Sequence, residues 1–378
     1  MITPDYYYVI VGGGLAGLQL ALRINRDLFF KGKKIAIIEP SDKSENDKTW
    51  CFWEEGRGNW DHLISREWKR GKFISSEVSE DLDLKPYSYK MLNSLDFYDH
   101  VKAELESSDD IFFIQDKITR IDQVTRTALG ENAKYTATHF FDSRPPSEFE
   151  NDEKCAVIYQ HFKGIKIKTE NAHFDPEVFT MMDYRIKYKE STCFTYILPT
   201  SKNEALVEFT FFTPYLTEEA VYDNKLEEYI RDILNIKNYE IIESEKGVIP
   251  MTDYPFHKFN TDYLTRIGTA GGWVKASSGY SFKNTETKVE QLIDNIKSGL
   301  RPSANLMNKK FQRYDAIFLD VLEKRNDLGE SLFTKFYTKN SIQDIFRFLD
   351  EETSFSEELK IMMSLYHPQF LKSFFKKI

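Results

Sequence analysis

The sequence predicts an α/β protein: a Rossmann-like dinucleotide-binding domain, an inserted domain built on an antiparallel sheet, and a helical C-terminal region. Three patterns carry that prediction. A glycine-rich turn at residues 12–17 joins a β-branched run to a helical run, parts of 156–251 alternate with period two, and apolar residues beyond Val289 recur at helical spacing.

Tyr7-Tyr8-Val9-Ile10-Val11 is a short buried-type strand, and Gly12-Gly13-Gly14 permits a sharp turn into a helix from Leu15 to about Arg26, with Leu18, Ala21 and Leu22 on one face. Lys34-Ile35-Ala36-Ile37-Ile38 is a second strand, with Glu39 at its carboxyl end. Together they make one βαβ unit of a parallel sheet. Residues 6–22 carry no charge, but three glycines interrupt them, Asp5 precedes them in place of a basic cluster, and they fall short of the ~20 apolar residues of a span. No other stretch approaches that length, so any membrane contact is expected to be peripheral.

Residues 49–90 mix Trp50, Trp53, Trp60 and Trp68 with charges and receive no element. Ser94 is placed to cap a helix to Leu105, since Phe97, Tyr98, Val101 and Leu105 share a face. Strands are predicted at 111–114, 139–141, 159–168 and 192–198, the last two alternating as half-buried antiparallel strands do. A helix is predicted at 226–234, and a strand from Thr265 runs into glycines ending at Gly272. Val289, Leu292, Ile293, Ile296 and Leu300 mark another helix, with Thr287 and Glu290 in capping-box spacing; Pro302 and Pro368 are expected breaks. The domain boundaries so read are 1–75, 100–150 and 260–300 for dinucleotide binding, 76–99 and 151–259 for substrate, and 301–378 for the helical region.

The formal charge is −9, which argues against a nucleic-acid footprint. Cys51, Cys155 and Cys193 are odd in number and far apart, fitting a reducing, intracellular compartment, and the seven histidines show no ligand spacing, so no metal is expected.

Gly12-Gly13-Gly14-Leu15-Ala16-Gly17 is a GxGxxG between strand and helix, followed after ~20 positions by an acidic residue, Glu39. Gly12 serves the turn, Gly14 lets backbone approach a pyrophosphate, Gly17 allows close helix packing, and Glu39 accepts from a ribose. A turn without ligand is the plainer reading; strand, helix and acid together outweigh it. A glycine loop this near residue 1, with an antiparallel domain inserted later, suits FAD better than NAD.

The blocks Asp47-Lys48-Thr49-Trp50, Met182-Asp183-Tyr184-Arg185, Leu206-Val207-Glu208-Phe209-Thr210, Gly247-Val248-Ile249-Pro250-Met251 and Gly271-Gly272-Trp273 through Ser278-Gly279-Tyr280 occur in that order. In this the chain resembles the lycopene β-cyclases, carotenoid ring-forming flavoproteins; the glycine block and Asp142-Ser143-Arg144 also resemble the wider superfamily of aromatic hydroxylases and geranylgeranyl reductases. Two departures stand out. The family's acidic block usually has two adjacent acids, whereas Phe209 follows Glu208, so only Glu208 inherits an essential role. The Gly-Asp pair of the hydroxylases is absent from Gly268-Thr269-Ala270-Gly271-Gly272, which argues against a hydroxylase.

Trp50, Met182, Phe209 and Met251, with Tyr280 and the clustered phenylalanines, are expected to line a long apolar tunnel for the substrate, the plainer reading of such residues being core. The resemblance implies Glu208, Asp183 and Arg185 as catalytic. For FAD it adds Leu15, Ala16, Thr49, Ile118, Asp142, Gly271, Gly272, Ser278, Gly279 and Tyr280 to Gly12, Gly14, Gly17 and Glu39. It further implies a reduced flavin kept so by NADPH, and lycopene or another linear carotenoid as substrate. Cyclising a polyene end group requires protonation of an alkene carbon, attack by a neighbouring double bond and loss of a proton, in a pocket that excludes water. A carboxylic acid stays neutral there because desolvation disfavours its charge. Glu208 lies in the apolar run Ala205-Leu206-Val207-Glu208-Phe209-Thr210-Phe211-Phe212; its plainer reading is a solvated glutamate beside Glu204 and Thr210, and that of Asp183 and Arg185 is a structural ion pair. The tail 370–378 mixes apolar and basic residues, as a helix at the inner face of the cell membrane or one packed on the protein would. A redox enzyme of the same superfamily and a non-catalytic prenyl-binding protein are the rival readings.

Overall fold

The computed structural model describes residues 4–377. Its first sheet places Ile111–Gln115, Ile35–Glu39, Tyr6–Val11, Lys134–Asp142 and Leu264–Arg266 side by side, all parallel. Val9, Ile10, Ala36 and Ile37 are fully buried, as expected of strands covered on both faces. Helices Leu15–Arg26, Ser94–Leu105 and Phe282–Lys297 pack on one face through Leu18, Leu22, Phe97, Val101, Val289 and Leu292. An antiparallel excursion, Ile118–Asp122 and Thr127–Gly130, returns into Lys134–Asp142.

The second sheet runs in the order Glu240–Thr252, Val157–Lys168, Glu204–Thr213, Cys193–Pro199, Val178–Asp183, Arg70–Ile74, Ser79–Asp83. Its pairings are antiparallel but for one: Val178–Asp183 runs parallel to Arg70–Ile74. Arg70–Ile74 thus joins the second sheet although it lies before the residue-75 boundary. Residues 49–90 hold five strands, three of them (Thr49–Glu55, Tyr87–Asn93, Arg66–Trp68) forming a small sheet. One face of the large sheet carries the helix Glu219–Glu228, continued by a wider turn to Ile233, which begins seven residues before the predicted 226. The other face packs against C-terminal helices through Leu319, Phe333, Phe336, Ile345, Phe346 and Ile361.

Two capping expectations are corrected. Helix Phe282–Lys297 begins before Thr287, which therefore sits inside it, and the capping box occurs instead at Ser354 with Glu357. Asn93, not Ser94, occupies the N-cap of Ser94–Leu105, because the Ser94 hydroxyl is engaged with Asp47 at 3.0 Å. Pro368 opens the last helix, Pro368–Lys377, a position where its missing N–H costs nothing. Among the described residues no helix is long and apolar enough to cross a membrane.

Candidate active site

Parallel strands bring their carboxyl ends to one edge, and four loops meet there. The Gly12 N–H donates to the Ile38 carbonyl (2.8 Å), the Gly13 N–H to a Glu39 carboxylate oxygen (2.8 Å), and the Ser143 N–H and hydroxyl to the Val11 carbonyl (3.0 and 2.8 Å). Gly12 has φ +104°, and a Cβ there would lie 2.0 Å from Ser143 Oγ. A Cβ at Gly17 would lie 2.0 Å from the Gly12 carbonyl oxygen, so helix Leu15–Arg26 can abut the strand only without one. A Cβ at Gly14, by contrast, meets no protein atom within 4 Å. Gly14 is also the N-cap, with no side-chain cap and no acidic residue in the first turn. An uncapped helix N-terminus beside open room fits a pyrophosphate.

Gly14 to Gly17 open into a cavity of about 860 Å³, within the usual range for ligand sites. It runs between the two large sheets to the C-terminal helices, reaching Met362, Met363, Tyr366, Phe370, Leu371 and Phe374. Its walls are mainly apolar and aromatic, among them Phe162, Phe194, Phe212, Phe333 and Phe336. Gln160 Oε1 and Ser278 Oγ, both on the lining, are buried without a protein hydrogen-bond partner, as expected of groups that meet a ligand.

Glu208 faces this cavity from strand Glu204–Thr213 and is 8% exposed. Alternation decides the face: Leu206, Glu208, Thr210 and Phe212 line the cavity, while Val207, Phe209 and Phe211 enter the core beneath the 219–233 helix. Desolvation, followed by the neighbouring Glu245 carboxyl, raises the Glu208 pKa, against a hydrogen bond donated by Thr210 Oγ1 (2.6 Å). Glu245, not singled out by the sequence, lines the same cavity and is raised as well, again by desolvation first; Thr49 Oγ1 donates to its Oε2 at 2.8 Å.

Of the residues singled out by sequence, Gly14, Leu15, Ala16, Gly17, Thr49, Trp50, Met182, Glu208, Ser278, Gly279 and Tyr280 meet on this one cavity. The Tyr280 hydroxyl lies 2.9 Å from that of Tyr89, which accepts from Tyr196 at 2.6 Å, so three tyrosines form a hydrogen-bonded wall. Glu39 stands behind the glycine loop. Gly12, Gly271 and Gly272 shape turns without lining the cavity: Gly272 has φ +71°, and Gly268, Thr269 and Trp273 line it instead.

The remaining expectations are corrected. Phe209 turns to the opposite face, and Met251, fully buried, belongs to the core. Asp183 is fully buried, receives the Tyr229 hydroxyl (2.5 Å) and pairs with Arg185, away from the cavity. This pair fastens the 219–233 helix to the sheet. Asp142 is pinned between Arg144 (2.9 Å) and Arg266 (2.7 Å), and the Ile118 carbonyl accepts from Arg144, so both brace the loops behind the cofactor edge. Among the described residues no group of three or more His, Cys, Asp or Glu is placed to hold a metal ion.

The buried carboxyl makes a prediction independent of any substrate. Because the folded pKa of Glu208 is raised to about 8, its contribution to stability is full below the ordinary glutamate value of ~4.3 and is lost as pH rises through about 8. Thermal unfolding between pH 4.5 and 9 is expected to show a smaller alkaline loss of Tm in Glu208→Gln than in the parent; equal losses would mean that the carboxyl is ionised in the fold.

A family model described as lycopene cyclase protein matches residues 8–374. Among curated proteins none matches the chain. Among solved structures, a geranylgeranyl bacteriochlorophyll reductase-like protein from Thermoplasma acidophilum is 14% identical with TM-score 0.61, covering 99% of each chain. A flavin-dependent brominase is 14% identical with TM-score 0.61 over 91% of this chain and 93% of its own. The halogenase PltM, in complex with phloroglucinol and FAD, is 12% identical with TM-score 0.61 over 98% and 90%. At these identities the likeness is one of fold, that of flavoproteins.

Proposed function

The chain belongs to the lycopene cyclase protein family, and from that premise we propose that it is a lycopene β-cyclase, closing the linear end groups of lycopene into β rings without net redox change. The observation that carries this reading is a buried, neutral-leaning carboxyl, Glu208, on an apolar cavity continuous with a pyrophosphate cradle. Glu208 protonates the terminal double bond of the end group. The aromatic walls exclude water and offer π faces to the resulting cation. The cofactor would be FAD, with Gly14–Gly17 to hold its pyrophosphate, Glu39 to accept from its ribose, and Gln160, Ser278 and the glycine block from Gly268 facing the cavity it would occupy. Bound in its reduced form, with NADPH as electron donor, FAD supplies negative charge near a cation.

The cavity's far end favours entry from a bilayer at the inner face of the cell membrane. Met363, Tyr366, Leu371 and Phe374 on its lining are 69, 59, 49 and 45% exposed. The last helix is also packed on the protein, for Lys376 and Lys377 are ion-paired to Asp320 (2.9 Å) and Asp253 (2.5 Å), leaving Lys372 exposed for lipid headgroups. Expression in lycopene-accumulating cells followed by chromatography and mass spectrometry tests the reading. Cyclic pigment of unchanged mass is expected; a reduced or hydroxylated product, or untouched lycopene, overturns it.

A further inference from the structure

Strand Val157–Lys168 lies between the strands of the two cavity glutamates. In register, Gly164 faces Glu208 on one side and Glu245 on the other. Residues paired across a sheet point to the same face, so the row Glu208, Gly164, Glu245 places two carboxyl side chains on the cavity face with no Cβ at the position between them. A Cβ at Gly164 would lie 3.1 Å from Leu206 Cδ1, 3.2 Å from Glu245 Cγ and 3.4 Å from Glu208 Cβ, so both glutamates and Leu206 lean over the glycine. Glycine in mid-strand weakens a sheet, and here the close approach of these three side chains accounts for it.

The two carboxyls are furnished alike. Each accepts one threonine hydroxyl, Thr210 at Glu208 and Thr49 at Glu245, and among the described residues neither is ion-paired. The titratable groups around them are Cys51, near both carboxyls, Tyr196, paired with Glu208 across the sheet, Tyr280, near Glu208, and Glu243, whose charge acts on Glu245. Lys246, the nearest cation along the Glu245 strand, pairs with Glu219. Lys43, Lys48 and Lys246 also line the cavity, but among the described residues no cation is ion-paired to either carboxyl, so the pair is held together most readily with one proton between them.

Resting on the cyclase reading above, we propose that Glu245 is the second acid–base residue of the reaction: Glu208 donates a proton to the polyene end group, and Glu245 accepts the proton that the ring cation releases. The balance closes. The Glu208 O–H bond breaks as a C–H bond forms, leaving a carboxylate and a carbocation. The neighbouring double bond supplies the electron pair of the new ring C–C bond, and the cation moves to the ring. A ring C–H bond then gives its electron pair to the new ring double bond and its proton to Glu245. Transfer of that proton across the gap at Gly164 restores the starting pair, with no oxidant, reductant or net proton consumed.

Two measurements test this, one of them free of substrate. Infrared titration of the purified protein reads the protonated-carboxyl band in the parent, Glu208→Gln and Glu245→Gln. Removing Glu245 is expected to lower the Glu208 midpoint by roughly one pH unit, because a like charge has gone; an unmoved midpoint overturns the shared proton. In lycopene-accumulating cells, Glu245→Gln is expected to cut β-ring formation ~100-fold or more with flavin content unchanged, the residual product carrying added water or a displaced double bond. A normal product at a normal rate overturns the base role. Gly164→Ala, which inserts one methyl between the carboxyls, is expected to lose turnover while its unfolding temperature stays near that of the parent; full activity there overturns the transfer across the gap. A parent that shows the coupled titration yet forms no ring overturns the cyclase reading, and the base role with it, whereas an active parent with an active Glu245→Gln overturns the present inference alone.

Discussion

Glu208→Gln is expected to lower cyclisation by ~10²–10⁴ while flavin stays bound, the loss that follows removal of a general acid. The substitution keeps shape, and the Thr210 hydroxyl, 2.6 Å from Oε1, still finds an oxygen to donate to. Structure and volume are therefore conserved, and what disappears is the transferable proton. Flavin content is expected to hold because the pyrophosphate cradle is formed by the loop at 12–17 of the first sheet, whereas Glu208 lines the same cavity from the second. The readouts are ring formation per cell and the ratio of flavin to protein absorbance. Normal turnover would remove Glu208 from the mechanism; loss of flavin together with activity would make it a cofactor-site residue instead.

The second large effect concerns the glycine loop, where two substitutions separate packing from ligand. Gly17→Val forces a Cβ to within 2.0 Å of the Gly12 carbonyl oxygen and 3.1 Å of Ile10 Cγ2, so the helix start must withdraw. Flavin uptake is expected to fall at least tenfold, since a change of only ~1.4 kcal/mol suffices for that, and stability falls with it. Gly14→Ala clashes with no protein atom within 4 Å, and its backbone at φ −88° suits alanine. Its unfolding temperature is expected to stay at or above that of the parent while flavin affinity drops, because the added methyl occupies the room claimed by the pyrophosphate. Equal flavin affinity in Gly14→Ala and parent, by equilibrium titration of apo-protein, would place the cofactor elsewhere.

Local pattern made some elements legible and hid others for identifiable reasons. The βαβ unit was readable because its strand, turn and helix are contiguous, and each glycine has a local steric task. Glu208 is readable as the one ionisable group in the apolar run 205–212. Phe209, its neighbour in sequence, is expected on the substrate side with the other clustered phenylalanines, yet period-two geometry sends it to the opposite face. Glu245 was hidden for a deeper reason. In Ile242-Glu243-Ser244-Glu245-Lys246 it reads as a solvated edge strand, and only the register through Gly164, some eighty residues earlier in the chain, brings it opposite Glu208. A glycine in the middle of the alternating run 159–168 was the available signal. Residues 49–90 resist assignment because their strands are short and one of them, Arg70–Ile74, pairs with a strand far along the chain, Val178–Asp183. Asp183 with Arg185 was legible as a pair but not as a fastening, since the Tyr229 hydroxyl that completes it arrives from another element.

The cavity takes its first wall from residues 14–17 and its last from residues 362–374. The sheet and helices that carry the glycine loop are complete by Lys297, so the chamber's last wall is the final part to be supplied along the chain. On the proposed cyclase reading, a product cut short ahead of Met362 is expected to leave the carbocation open to solvent and to yield alcohols in place of rings. Sealing of the chamber thus falls on the final two helices, the last of them held in part by the buried Asp320, which grips Lys324, Ser373 and Lys376 together.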